Sequence, residues 1–246
     1  MIVLQRAPAT DTDADEIERI RAEYRRRERE IPPGLYDLNR PAPRFAHTRL
    51  LPVVMEALRR AGKLPLRGRA VADIGCGTGC WLRQFVQWGA SPAALHGIDL
   101  IETRVSAARA RLPGAPLTCG DARSLPWPDA SFDVVTAFMV FSSILRASVK
   151  QRIAGEMLRV LKPGGVILWY DSRRSNWRNP HMRALRPAEI RGMFPDCEVR
   201  LESVTLAPPL ARRVVPVSRA AGALLEAIPL LRTHCFGVIR RLGESS

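Results

Sequence analysis

The chain has 246 residues, 46% of them hydrophobic, which suits one large α/β domain with appended segments and demands no second domain. A formal net charge of +14 favours an anionic small ligand, an acidic membrane surface or nucleic acid. All but Lys63, Lys150 and Lys162 of the 38 basic residues are arginine, and they are spread along the chain without the interleaved aromatics that stack bases, which argues against a nucleic-acid face.

The start carries no signal-peptide pattern, so a cytoplasmic protein is expected. Residues 11–30 begin acidic and end in arginines, the charge order a helix dipole favours, and predict one exposed helix. Pro32, Pro33, Pro41 and Pro43 then predict an irregular segment carrying Tyr36 and Arg44. A second helix follows from about 46 to 61, with Leu50, Leu51, Val54 and Leu58 on its apolar side. Residues 1–62 thus read as an N-terminal helical lid or cap, ahead of a core spanning 63–246.

From Ala70 the rhythm changes to short apolar strands, 70–75, 94–99, 116–118, 133–137 and 166–171, alternating with helices. That alternation predicts a parallel sheet covered on both faces. Beyond it come a short helix at 187–194, a strand at 198–206 and a last strand at 233–239. Between those two strands, residues 207–232 are apolar with Arg212, Arg213 and Arg219, and Pro216 and Pro229 interrupt them too often for a spanning helix. The segment reads as core packing or an acceptor lid, with membrane-surface contact or dimerisation as the alternatives.

The run Val71 to Gly79 puts an acid and three glycines at the end of an apolar strand. A strand ending in Gly-x-Gly-x-Gly lets the backbone pass close to a ligand, and the helix from about Cys80 aims free N–H groups at it. Ligands of open parallel sheets sit beyond the carboxyl ends of the strands. There Asp99, twenty residues past Gly79, can accept from both ribose hydroxyls, while Asp121 and the Ala122 N–H match the donor and acceptor edge of adenine. This is a nucleotide-type site. The cysteines Cys76, Cys80, Cys119, Cys197 and Cys235 form no Cys-x-x-Cys pair and share no ligand spacing with the four histidines, so no metal is expected.

From Val71 to Tyr170 the chain resembles the class I S-adenosylmethionine-dependent methyltransferases. The third glycine comes one residue sooner than in the Gly-x-Gly-x-x-Gly of dehydrogenases. Gly120-Asp121-Ala122, Ser131-Phe132-Asp133-Val134-Val135 and Leu161-Lys162-Pro163-Gly164-Gly165 follow in the family's order. The resemblance implies a Rossmann-like, seven-stranded, mostly parallel sheet with helices on both faces, N-terminal helices and a hydrophobic insertion before the last strand. It implies S-adenosyl-L-methionine as cofactor. Gly75, Cys76, Gly77 and Gly79 would face its methionine and ribose, with Asp73 shaping the loop or the cofactor's amine site. Asp99 and Leu100 would hold the ribose, Asp121 and Ala122 the adenine, and Phe138 would lie near the sulfonium.

Methyl transfer needs alignment and exclusion of water, and a hydroxyl acceptor also needs a base within hydrogen-bond reach. The stretch from Trp169 to His181 concentrates a carboxylate, a histidine, arginines and tryptophans where an acceptor pocket should open. Asp171 or His181 is the expected base, with His47 a third candidate. Tyr170, Arg173 and Arg178 suit an acidic acceptor, and Tyr36 and Arg44 would close over the pocket. Capping, packing and solvated-loop roles are the alternatives for each. The overall expectation is O-methylation of a sugar or other small hydroxylated or acidic metabolite in glycan or natural-product assembly, by a monomer or homodimer. A tRNA or rRNA methyltransferase and a non-catalytic cofactor-binding scaffold are the rivals, the first weakened by Ala137-Phe138-Met139-Val140 where base-modifying enzymes carry an Asn-Pro-Pro-Tyr type of motif.

Overall fold

The computed structural model describes residues 12–30, 35, 37–175 and 179–243. In chain order the helices are α1 (Asp13–Glu30), α2 (Pro41–Arg60), α3 (Cys80–Gln87), α4 (Glu102–Arg111), α5 (Ala147–Val160), α6 (Pro187–Met193), α7 (Pro208–Val214) and α8 (Arg219–Ala227). The strands are β1 (Val71–Ile74), β2 (Leu95–Asp99), β3 (Leu117–Cys119), β4 (Phe132–Phe138), β5 (Leu161–Ser172), β6 (Cys197–Leu206) and β7 (Arg232–Arg241). They form one sheet in the order β3-β2-β1-β4-β5-β7-β6. Only β7 runs against its neighbours, pairing antiparallel with both β5 and β6.

Alternation along the central strands sends side chains to two separate cores. On one face, Ala72, Ile74, Val135, Ala137, Ile167 and Trp169 pack with Ile153, Met157 and Ile190 of α5 and α6. On the other, Val71, Val134, Val166 and Leu168 meet Val54 and Leu58 of α2, Leu82 and Phe85 of α3, and Val105 of α4. Each buried Val, Leu, Ile, Phe or Met side chain among these contributes about 1.5–3 kcal/mol, so the sheet and the helices covering it are the rigid part of the molecule.

Three elements differ from the sequence reading. α2 begins at Pro41, not near 46, because proline tolerates the first helical turn, where its missing N–H has no partner to lose. Arg44 therefore sits on a helix and is exposed. β5 reaches back to Leu161 through Gly164-Gly165, ahead of the start expected at 166, and the register shift between Phe132 and Val134 absorbs the irregularity. α1 is not simply a solvated helix, since it buries Glu16 and Glu23 as well as Ile17 and Ile20.

Residues 207–231 fold into α7, α8 and a short 3-10 turn, with Arg232 already opening β7. Ala211 and Val215 pack on Ala42 and Phe45 of α2 and on Leu206 at the end of β6. A Cβ at Gly222 would approach Val215 to 2.8 Å and the Phe45 ring to 3.4 Å, so α8 lies this close only because position 222 has no side chain.

Candidate functional site

A cavity of about 1260 Å³ opens over the carboxyl ends of β1, β2 and β4. Its floor is the loop after β1. Gly75, Gly77 and Gly79 all lie at positive φ, +70, +53 and +77°, a conformation glycine adopts without steric penalty. A Cβ at Gly75 would stand 2.6 Å from Val140 Cγ2, so the backbone passes the β4 loop at a distance only glycine permits. The Gly75 and Cys76 N–H groups donate to Ile98 O at 2.8 and 3.0 Å. The Gly77 N–H donates to Asp99 Oδ2 at 2.8 Å, while the Ile101 N–H donates to Oδ1 at 3.0 Å. Asp99 thus holds the loop with one lone pair on each oxygen and keeps further acceptor capacity.

Gly75, Asp99, Leu100, Asp121, Ala122 and Phe138 line this one cavity. Cys76, Gly77 and Gly79 build the loop itself, and the Cys76 thiol is buried. Asp73 lies beneath, with Thr136 Oγ1 donating to its Oδ1 at 2.6 Å. Burial pushes its pKa up to about 7, opposed by the Thr136 bond and reinforced by the Asp99 charge. Asp121 accepts from the Arg123 N–H at 2.9 Å and from its guanidinium at 2.8 Å.

The three candidate bases fall in different places. Asp171 is 1% exposed and lies outside the cavity lining. Its oxygens accept from the Ser142 and Ser172 N–H groups at 3.0 and 2.7 Å, and burial raises its pKa, partly countered by the bonds at Ser142 and Ser172. Alternation points Asp171 to the face occupied by Trp169, where it anchors the turn after β4, so the structure does not bring it to the cavity. His181 also lies outside the lining, its Nε2 3.6 Å from Glu23 Oε2 on α1. His47 does line the cavity. Its ring centroid is 5.0 Å from Trp81, and Trp81 stands edge-on to Phe138 at 4.7 Å. Burial lowers the His47 pKa, against a smaller opposing bond with Gln84.

The expected acceptor contacts scatter. Tyr36 and Arg178 lie outside the described residues. Arg44 and Arg173 are exposed and away from the lining; α2 turns Arg44 outward, and the Arg173 backbone N–H donates to Thr233 O at 2.9 Å. Tyr170 is held to one side, its hydroxyl 3.0 Å from Thr205 Oγ1 and its ring stacked on His234 at 5.1 Å.

Other lining residues escaped the sequence reading. Cys80, Arg83, Gln84 and Gln87 recur at i, i+3, i+4 and i+7 on α3 and line the cavity together; that spacing right after the glycine loop was the available signal. Met139, one residue past β4, sits at φ +61°, a rare conformation for a side chain-bearing residue. Its N–H donates to Tyr170 O at 2.6 Å.

α1 supplies the roof through Ile17, Ile20, Tyr24, Arg27 and Glu28. Glu16, 1% exposed, accepts from the Leu145 and Arg146 N–H groups at 2.5 and 3.4 Å, at the N-terminus of α5. Arg19 pairs with Glu16 at 2.7 Å and donates to Ser143 O at 2.7 Å. Burial opposes ionisation of Glu16, but Arg19 and the two N–H groups together hold its pKa below the usual carboxylate value. The Tyr24 ring carries the guanidinium groups of Arg27 at 5.1 Å and Arg104 at 4.9 Å. Among the described residues no group of histidines, cysteines and carboxylates could hold a metal ion.

Comparison with known proteins accords with this geometry. A methyltransferase domain family matches residues 72–169. The chain is 31% identical over 197 residues to a fatty-acid O-methyltransferase of Mycolicibacterium smegmatis, covering 72% of this chain and 70% of that protein. It is 35% identical over 120 residues to phthiotriol/phenolphthiotriol dimycocerosates methyltransferase 1 of Mycobacterium ulcerans, covering 48% of this chain but 43% of that protein's length. A SAM dependent methyltransferase from Archaeoglobus fulgidus shares the fold at a TM-score of 0.56 and 17% identity, covering 77% of this chain and 93% of its own. Glycine loop, acids at the strand ends, sheet order and relatives converge: this chain belongs to the class I S-adenosylmethionine-dependent methyltransferases.

Proposed function

We propose that the chain methylates an oxygen, carboxylate or hydroxyl, of a small acceptor that carries an apolar portion. The observation that carries this reading is the size and lining of the cavity. Single-ligand pockets run to about 300–1,000 Å³, and about 1260 Å³ accommodates cofactor and acceptor side by side. The residues fit S-adenosylmethionine: Asp99 accepts from the ribose hydroxyls, Asp121 and Ala122 meet the adenine edge, and the loop at Gly75, packed against Val140 too closely for a Cβ, presents its backbone to the methionine part. Bound there, S-adenosylmethionine supplies an already activated methyl group.

The remaining wall, Phe138, Met139, Gln84 and His47, is where the acceptor lies. His47, kept neutral by its burial, takes the proton of a hydroxyl acceptor; a carboxylate acceptor arrives ionised and needs no base. The roof α1 excludes water. The likeness to a fatty-acid O-methyltransferase supports an acidic, lipid-like acceptor over a sugar.

Calorimetry with S-adenosylmethionine and its demethylated product tests the cofactor site: micromolar binding is expected for wild type and its loss for Asp99→Ala. Turnover on long-chain carboxylates and on hydroxylated lipids then tests the acceptor. His47→Gln should lower kcat on hydroxyl acceptors by about 10²-fold and leave carboxylate acceptors nearly unchanged. A folded wild-type protein that binds no cofactor at millimolar concentration overturns the reading.

A further inference from the structure

The segment between β6 and β7 emerges at the carboxyl edge of the sheet, because β6 ends at Leu206 and the reversed β7 starts at Arg232. The cavity opens on that same edge. The inner side of the segment packs on α2 through Ala211 and Val215. Its outer side is apolar: Val217 is 88% exposed, Leu224 73%, Ile228 46% and Leu230 74%. These are four of the six large hydrophobic side chains exposed among the described residues. Single exposed hydrophobics are ordinary, but a local concentration marks a contact surface. On α8 and its C-cap the exposed positions Ala220, Leu224, Ala227 and Ile228 recur at helical spacing.

Charge identifies the occupant. Arg212, Arg213 and Arg219 are exposed beside this apolar surface and pair with no carboxylate among the described residues. The segment's one carboxylate, Glu226, faces inward, accepting from Arg49 Nε at 2.6 Å and from the Leu206 N–H at 3.2 Å. The outer surface is therefore apolar and cationic, with no anion of its own. A second copy in a two-fold contact would bring this surface against itself and leave every arginine unmatched. An anionic bilayer answers both features, with phosphates for the arginines and acyl chains for the leucines. α8 has 9 residues and no helix among the described residues is long and apolar enough to cross a membrane, so the geometry is that of a segment lying in the interface.

We infer that the outer face of α7 and α8 seats the protein on an anionic phospholipid surface. The docking stands independently of the acceptor assigned above. Sedimentation of the full chain with vesicles tests it, comparing phosphatidylcholine alone with an equal mixture of phosphatidylcholine and phosphatidylglycerol. Binding to the mixed vesicles alone, falling steeply with added salt, is expected. Each of Arg212→Gln, Arg213→Gln and Arg219→Gln should weaken partition about fivefold, and Leu224→Ser with Leu230→Ser by at least about tenfold. These side chains are solvent-facing, so thermal melts and cofactor binding should match wild type and report that the fold survives. Three results overturn the inference: no binding to phosphatidylglycerol vesicles, binding that the variants leave unchanged, or a concentration-dependent dimer that Leu224→Ser dissolves.

Discussion

The floor and the roof of the cavity are built from different forces. The floor is backbone: three glycines at positive φ, N–H groups donating to Ile98 O and Asp99, and a β4 loop 2.6 Å from where a Gly75 side chain would begin. The roof leans on side-chain electrostatics: α1 buries Ile17 and Ile20 in the main core, with Tyr24 packed against it, and is held by Glu16, Arg19 and the bond from Ser148 to Asp13. Backbone geometry of this kind cannot open without unfolding the strands that carry it. Ion pairs and a helix-terminal carboxylate can open locally, which is what a cavity that must admit a cofactor requires.

The hardest blow to the floor is Gly75→Ala. The new Cβ meets Val140 in a backbone conformation that side chains disfavour, so the loop must shift. Overpacking of about 1–3 kcal/mol is expected in the melt, together with loss of S-adenosylmethionine binding measured by calorimetry. Unaltered affinity would mean the floor is not rigid.

Glu16→Gln addresses the roof. It removes the charge that Arg19 and the α5 N-terminus share and should free α1 without melting the sheet. Hydrogen exchange should rise across 13–30 while the core amides stay protected, and cofactor affinity should fall by about tenfold, the equivalent of a charged hydrogen bond of about 1.4 kcal/mol. A loss of protection spread through the whole sheet would show that roof and floor are one unit. Because the folded-state pKa of Glu16 is lowered, its contribution is complete above the unfolded carboxylate value and is lost as pH falls through the lower folded-state value.

A pH effect separates sheet from roof. Burial lowers the His234 pKa to about 4, so the sheet keeps its full stability above the unfolded histidine value and loses it as pH drops toward 4. At about pH 5 the penalty is about 2 kcal/mol. Asp73 and Asp171 carry raised values and act in the opposite direction, so the test is a difference: the melting temperature of His234→Phe should gain on wild type between about pH 7 and about pH 5. A constant gap would remove His234 from the account.

Much of the floor was legible because its constraints are local. Glycine spacing, an acid closing β2 and Gly120-Asp121-Ala122 closing β3 are short-range statements about where backbone and carboxylate must be. Which of the candidate bases reaches the cavity was not legible. Asp171 stands in a promising sequence neighbourhood, but strand alternation turns it into the α5 side and away from the cavity. His47 looked peripheral, yet α2 packs against α3 and lays its ring on Trp81, beside Phe138. α1 misled in the same way, since a run of Glu and Arg reads as a solvated face until Glu16 and Glu23 are found buried.

By itself, the sequence determined the order of strands and helices, the family, the cofactor and the positions of the acids at the strand ends, since each depends on periodicity or on residues a few positions apart. Only the tertiary structure decided which histidine reaches the cavity, that a charged helix forms its roof, and which side of 207–232 faces outward. Those outcomes depend on packing between segments far apart in the chain, where burial and the pairing of charge outweigh anything the local pattern encodes.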